Sequence, residues 1–111
     1  MKKLSIIALF ASAMMSCNKL NLQILTPKCV VNKIKEFNTP FTCNNAKVDE
    51  YCFQRSIVYA FDPGSCGADM TTEVINTNCN TLGYLGGYSG NSKINGVDFS
   101  TAIFIKTIWK K

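Results

Sequence analysis

Few side chains in this sequence are able to do chemistry: six cysteines, seven carboxylates and no histidine. The cysteines stand at 17, 29, 43, 52, 66 and 79. A zinc site wants Cys-x-x-Cys pairs or histidine partners, and the sequence has neither. The same absences argue against a redox-active dithiol and a Cys–His nucleophile. Six cysteines in a small exported chain are read first as a disulfide scaffold. The expected bridges are Cys29–Cys43 and Cys66–Cys79, although spacing alone does not determine pairing. The second would close a loop of about 14 residues, worth roughly 3 kcal/mol by chain entropy. Cys52 is then left over.

Cys17 sits where an export signal ends. "MKKLSIIALFASAMMSC" has a charged head at Lys2 and Lys3, an apolar run from Leu4 to Met15, and small residues after it. The run is shorter than the roughly 20 apolar residues of a membrane span. Two cleavage readings compete. Ala11 to Ala13 fits the small-x-small site of an ordinary signal peptide. Ser16-Cys17 fits a lipobox, with Met14 where leucine is usual. The lipobox reading is preferred, since the cysteine falls directly after the apolar run. It makes 1–16 a lipoprotein signal peptide, 17–25 a membrane tether and 26–111 a single domain. Diacylglycerol on the Cys17 sulfur and acylation of the freed amine would hold the protein on a bilayer. Cysteine parity opposes this reading, because a lipidated Cys17 leaves an odd number. "NKLN" at 18–21 lacks an acidic run, so the expected location is the outer membrane, facing the periplasm.

The carboxylates form no obvious constellation. Asp62 and Asp69 in "DPGSCGADM", with Glu73 beyond, offer oxygen ligands for calcium, but their spacing matches no calcium loop. Turn geometry, with carboxylates accepting nearby backbone N–H groups, explains the two aspartates better. Scattered acids carry no glycosidase signal. "YLGGYSGN" lacks the Lys and Ser or Thr of a phosphate loop; its glycines suit positive φ. If these two loops lie side by side they make a recognition edge, with Tyr84 and Tyr88 as contact residues. The competing view places those tyrosines in the core. No catalytic residue, metal or cofactor is assigned.

Removing Lys2 and Lys3 from the twelve basic residues leaves ten against seven acids. This modest balance, without an arginine-rich patch, excludes nucleic acid as a natural partner.

These residues must be held by a small set of elements. Thr26-Pro27 opens a helix, with Thr26 as cap and Pro27 in the first turn. Val30, Ile34 and Phe37 recur at helical spacing and form its apolar stripe. Asn38-Thr39-Pro40 ends it. From Val48 the chain reads as strands. "DEYCF" places Tyr51 and Phe53 on one face. "SIVYAF" places Ile57, Tyr59 and Phe61 on one face, with Val58 and Ala60 on the other. Gln54-Arg55 joins the two. "TTEVIN" and "NTLGYLGG" continue the pattern around a turn near Asn78. "GYSGNSKING" reads as a loop. "TAIFIKTIW" closes the domain, with Ile103, Ile105 and Trp109 on the apolar side, or with a helical start from Phe99 to Phe104. The expected fold is α+β: one N-terminal helix on a small antiparallel sheet of three to five strands, stapled by disulfides.

"VYAFDPGSCGADMTTEV", "CNTLGYLGGYSGN", "GVDF" and the final "TIW" together resemble a domain of unknown function found in small Bacteroidota envelope lipoproteins. The resemblance covers Cys29 to Trp109. Many members begin with a lipoprotein signal, which implies lipid on Cys17. The family pattern often has adjacent cysteines near Cys66, where this chain has one cysteine followed by Gly67. No family activity transfers. The expected function is that of a lipid-anchored, non-enzymatic module that binds an envelope protein or polymer through its loops. The alternatives are a small hydrolase using Asp62, Asp69 or Glu73, and an inhibitor of an envelope-directed enzyme.

Overall fold

The computed structural model describes residues 26–111. The signal, Cys17 and the tether lie outside the described residues.

Helix α1 spans Lys28–Phe37. Pro27 occupies the N-cap position with no side-chain cap, so Thr26 does not cap as expected. Instead the Pro27 carbonyl accepts the N–H groups of Val30 and Val31, at 3.0 and 3.1 Å. Seven strands follow: β1 Lys47–Phe53, β2 Ser56–Asp62, β3 Thr71–Asn76, β4 Thr81–Gly86, β5 Lys93–Ile94, β6 Val97–Asp98 and β7 Ile103–Lys110. Five form one antiparallel sheet in the order β4-β3-β2-β1-β7, and β5 and β6 form a separate hairpin. The expected α+β class fits in outline, although sheet dominates.

Strand alternation gives the sheet two apolar faces. On one, Val48, Tyr59, Phe61 and Ile75 pack under Val30 of the helix, with Ile34, Phe37 and Trp109 at the margin. Phe37 meets Phe61 and Trp109 edge-on, at ring separations of 5.3 and 5.9 Å. On the other face Phe53, Val58, Ala60 and Val74 pack against Ile94, with Leu82, Val97 and Phe99 around them. The molecule is therefore layered as helix, sheet and small hairpin.

Two local features depart from the sequence reading. The segment read as a loop contains the β5–β6 hairpin, turned by Asn95 (φ 52°) and Gly96 (φ 78°). Asn-Gly is the preferred pair where both turn residues need positive φ. In β7, register shifts near Asp49 and Tyr51 displace the pairing with β1. Bulges break strict alternation: Ile105 falls between paired positions and Ile108 joins Trp109 at the helix-side core, while Ile103, opposite Cys52 on the edge strand, stays 66% exposed. The helical alternative shrinks to a single 3-10 turn, Phe99–Thr101.

The bridges pair differently from expectation. They are Cys29–Cys79 and Cys43–Cys66, with Cα separations of 6.2 and 5.5 Å. The reason is geometric. Cys29 lies in the first turn of a ten-residue helix and Cys43 beyond its far end, so a rod of roughly 15 Å holds them at opposite ends of the sheet. Cys66 and Cys79 are likewise separated by β3. Cys52 is not left over, because it too is disulfide-bonded.

Candidate functional site

Three loops gather at the sheet end reached by the C-terminus of α1. They are residues 38–46 before β1, 63–70 between β2 and β3, and 87–92 after β4. Cys43–Cys66 joins the first two covalently. Asn45 reinforces the bridge: its Oδ1 accepts the Ser65 N–H at 3.1 Å, and its Nδ2 donates to Ser65 Oγ at 2.8 Å. Gly64, at φ +93°, leaves no space for a Cβ beside Asn45 and Cys43. The second and third loops meet where Gly87 N–H donates to the Met70 carbonyl at 3.1 Å. Asn91 then ties the third loop down, donating from Nδ2 to the carbonyls of Tyr84 (2.6 Å) and Lys93 (2.8 Å). The first loop is held by Lys111, whose ammonium donates to the carbonyls of Thr39 and Thr42 at 2.6 and 2.7 Å.

Two aromatic side chains stand out from this cross-linked frame. Phe41 is 92% exposed and Tyr88 is 93% exposed. Both side chains leave large aromatic surfaces in water above a pinned backbone. A fixed frame also lowers the entropy cost of association. Tyr84 is 52% exposed on β4, so neither tyrosine belongs to the core. Sequence reading missed Phe41. Its signal was a lone apolar residue behind Thr39-Pro40, with no periodic partner.

Asp62 and Asp69 are brought to this end, whereas Glu73 lies within β3, and the three form no cluster. Asp62 Oδ1 accepts the Gly64 N–H at 2.9 Å, the turn role expected for it. Asp69 occupies a left-handed turn position at φ 57°. Glu73 faces the helix layer, where one oxygen pairs with Lys33 at 3.2 Å and the other accepts the Thr81 hydroxyl. Among the described residues no group of three His, Cys, Asp or Glu side chains is placed to hold a metal.

The most perturbed titrating groups lie inside the sheet. Glu50 is 5% exposed. Burial pushes its carboxyl above the usual range, and Lys106 opposes the shift. Its cross-strand partner Tyr59 is pushed up to about 12, first by burial and then by the Glu50 charge. Asp49, on the opposite face, accepts the Thr107 hydroxyl at 2.7 Å and pairs with Lys47 at 3.3 Å. The hydrogen bond to Asp49 raises the Lys47 pKa.

A family model for a domain of unknown function (DUF6970) matches residues 35–111. The chain belongs to this family. Its matched span contains every strand among the described residues, all three loops of this end, and Phe41 and Tyr88. Cys29, which anchors the outer bridge, lies before the match. No curated protein and no solved structure matches significantly. DUF6970 membership thus carries no activity, and a functional reading of the domain has to come from its own surface.

Proposed function

We propose that this protein is a lipid-anchored envelope module of the kind found in Bacteroidota, and that it binds another envelope protein through the three-loop end. In this reading Cys17 carries lipid, residues 17–25 are the tether, and residues 26–111 form a domain without catalytic activity at the periplasmic face of the outer membrane. The signal-like start of the sequence supports export. The observation that carries the binding reading is the pinned loop end with Phe41 and Tyr88 almost wholly in water. Polarity supports it further. α1 begins beside Cys29–Cys79 at one end of the sheet and delivers the chain to the loops at the other. A tether joining at residue 26 therefore leaves Phe41 and Tyr88 pointing away from the anchor.

One observation favours a second reading of Cys17. With Cys52 disulfide-bonded and the other four cysteines paired with each other, Cys17 is the sixth cysteine of the sequence. A bridge that consumed it would leave no sulfur for a thioether, and the protein would be secreted without lipid.

Mass spectrometry of the unreduced protein from native cells separates these readings. A diacylglyceryl thioether at Cys17 is expected, and a Cys17–Cys52 peptide without lipid overturns the anchor. The binding reading is tested by crosslinking in intact cells. A specific crosslinked partner is expected, lost in Phe41→Ser/Tyr88→Ser. Unchanged crosslinking in that variant refutes the assigned surface.

A further inference from the structure

The face away from the helix carries a second feature, lined by neither Phe41 nor Tyr88. An open groove of about 430 Å³ runs between the β4 end and the 3-10 turn, lined among others by Tyr51, Leu85, Ser92, Asp98, Phe99 and Ser100. That volume lies within the range of about 300–1,000 Å³ usual for small-ligand sites. Its aromatic side is made by Tyr51 and Phe99, and Phe104, outside the lining, adjoins it through Tyr51. The Tyr51 ring lies 5.0 Å from that of Phe99 and 5.7 Å from that of Phe104, and Phe104 is 54% exposed.

The polar side is distinct in chemistry. Asp98 uses Oδ1 to accept the Ser100 N–H at 2.9 Å. That bond holds its carboxyl below the usual range, so it is ionised at neutral pH. The half-buried Tyr51 phenol makes no hydrogen bond with any described residue, and burial raises its pKa. A partly desolvated hydroxyl without a partner is a group waiting for one. Ser92 offers a hydroxyl beside it, while its carbonyl is already taken by Phe99 N–H at 2.9 Å. No Lys or Arg lines the groove.

We infer that this groove is a binding site for a neutral saccharide. The C–H face of a pyranose ring is apolar and flat, and stacks on aromatic rings such as Phe104 and Phe99. Its hydroxyl rim donates to carboxylates and exchanges hydrogen bonds with phenol and serine hydroxyls, which is the set presented by Asp98, Tyr51 and Ser92. The Asp98 carboxylate disfavours anionic ligands at this rim, offset in part by Lys93, its partner across the β5–β6 hairpin. The openness of the groove suits a chain of sugars laid across it, held through one or two rings. The groove shares Asn91 and Ser92 with the 87–92 loop, but its Tyr51, Asp98 and Phe99 take no part in the loop-end reading.

The test is a titration of the mature protein with maltotetraose, cellotetraose, xylotetraose and chitotetraose, followed by backbone and side-chain NMR shifts. At least one probe at millimolar concentration is expected to shift Tyr51, Ser92, Asp98 and Phe99 together. Phe104→Ala and Asp98→Asn should each weaken that binding by about tenfold or more. Asn keeps an acceptor for the Ser100 N–H, so Asp98→Asn removes charge without removing the turn, and an unchanged amide spectrum elsewhere confirms the fold. Phe41→Ser/Tyr88→Ser should bind the sugar as the parent does. Silence with all four probes overturns the inference. So do shifts confined to the loop end, or binding indifferent to both groove variants. A groove that responds to the crosslinked protein partner and to no saccharide also overturns it.

Discussion

Replacing Cys29 and Cys79 together by Ala should lower stability by an amount set by the loop the bridge closes. The two residues are 50 apart, and the inner bridge Cys43–Cys66 spans 23 of that separation. With the inner ring already closed, the outer bridge restrains an effective loop of roughly 27 residues, worth about 3.5 kcal/mol by chain entropy. Removing only the inner bridge restores the full outer loop and costs less, roughly 3 kcal/mol. The order, outer above inner, is the diagnostic part. Urea unfolding of the oxidised proteins, followed by circular dichroism, reads both values. With a slope of about 1.2 kcal/mol/M the midpoint should fall by about 3 M for Cys29→Ala/Cys79→Ala. A fall of less than about 1 M, with an unchanged slope, would contradict the loop-entropy origin of the stabilisation. It would mean that the helix N-terminus is held near the β3–β4 turn by packing alone. If the two double variants were reversed in order, the nested-loop arithmetic would fail.

Three further perturbations follow from particular contacts. Glu50 has a folded pKa above its unfolded one, so stability that is full below about pH 4.5 is lost as pH rises through the raised value. Glu50→Gln should flatten that descent, and unfolding curves of parent and variant that stay parallel from pH 4 to 7 would contradict it. Thr107→Val strands the buried Asp49 Oδ1 and should cost about 1–3 kcal/mol by urea unfolding; a neutral result would show that Lys47 satisfies Asp49 alone. Phe41→Ser/Tyr88→Ser should leave the unfolding free energy within about 0.5 kcal/mol of the parent, since both side chains sit in water. A large loss would move them from contact residues to structural ones.

Much of the architecture was legible because burial imposes simple periods. Val30, Ile34 and Phe37 repeat as a helix must, and Ile57, Tyr59 and Phe61 alternate as a two-faced strand must; each lands where its spacing put it. Pairing of cysteines was not legible, because it depends on where helix ends fall against strand ends, and no local pattern records that. The position of Ile105 was obscured by a bulge, which is a property of the β1–β7 pairing rather than of either strand, and the exposure of Ile103 by its place on an edge strand. The β5–β6 hairpin was hidden by its length: Lys93–Ile94 and Val97–Asp98 are too short to alternate visibly, although Asn95-Gly96 announced the turn. Asp62 was placed in its turn role by its own neighbours, Pro63 and Gly64. Phe41 and the saccharide groove were out of reach for one shared reason. Exposure and adjacency are set by what packs elsewhere, and a sequence window does not contain it.

Cys43–Cys66 lies wholly inside the span of Cys29–Cys79. A protease that nicks the chain once between residues 30 and 78 therefore releases no fragment, since both new ends stay joined through sulfur. Tension on the N-terminal side likewise passes across the outer bridge to the β3–β4 turn and bypasses the 38–46 and 63–70 loops. Those loops can be cut, pulled or strained by a bound partner and still remain part of one covalent body.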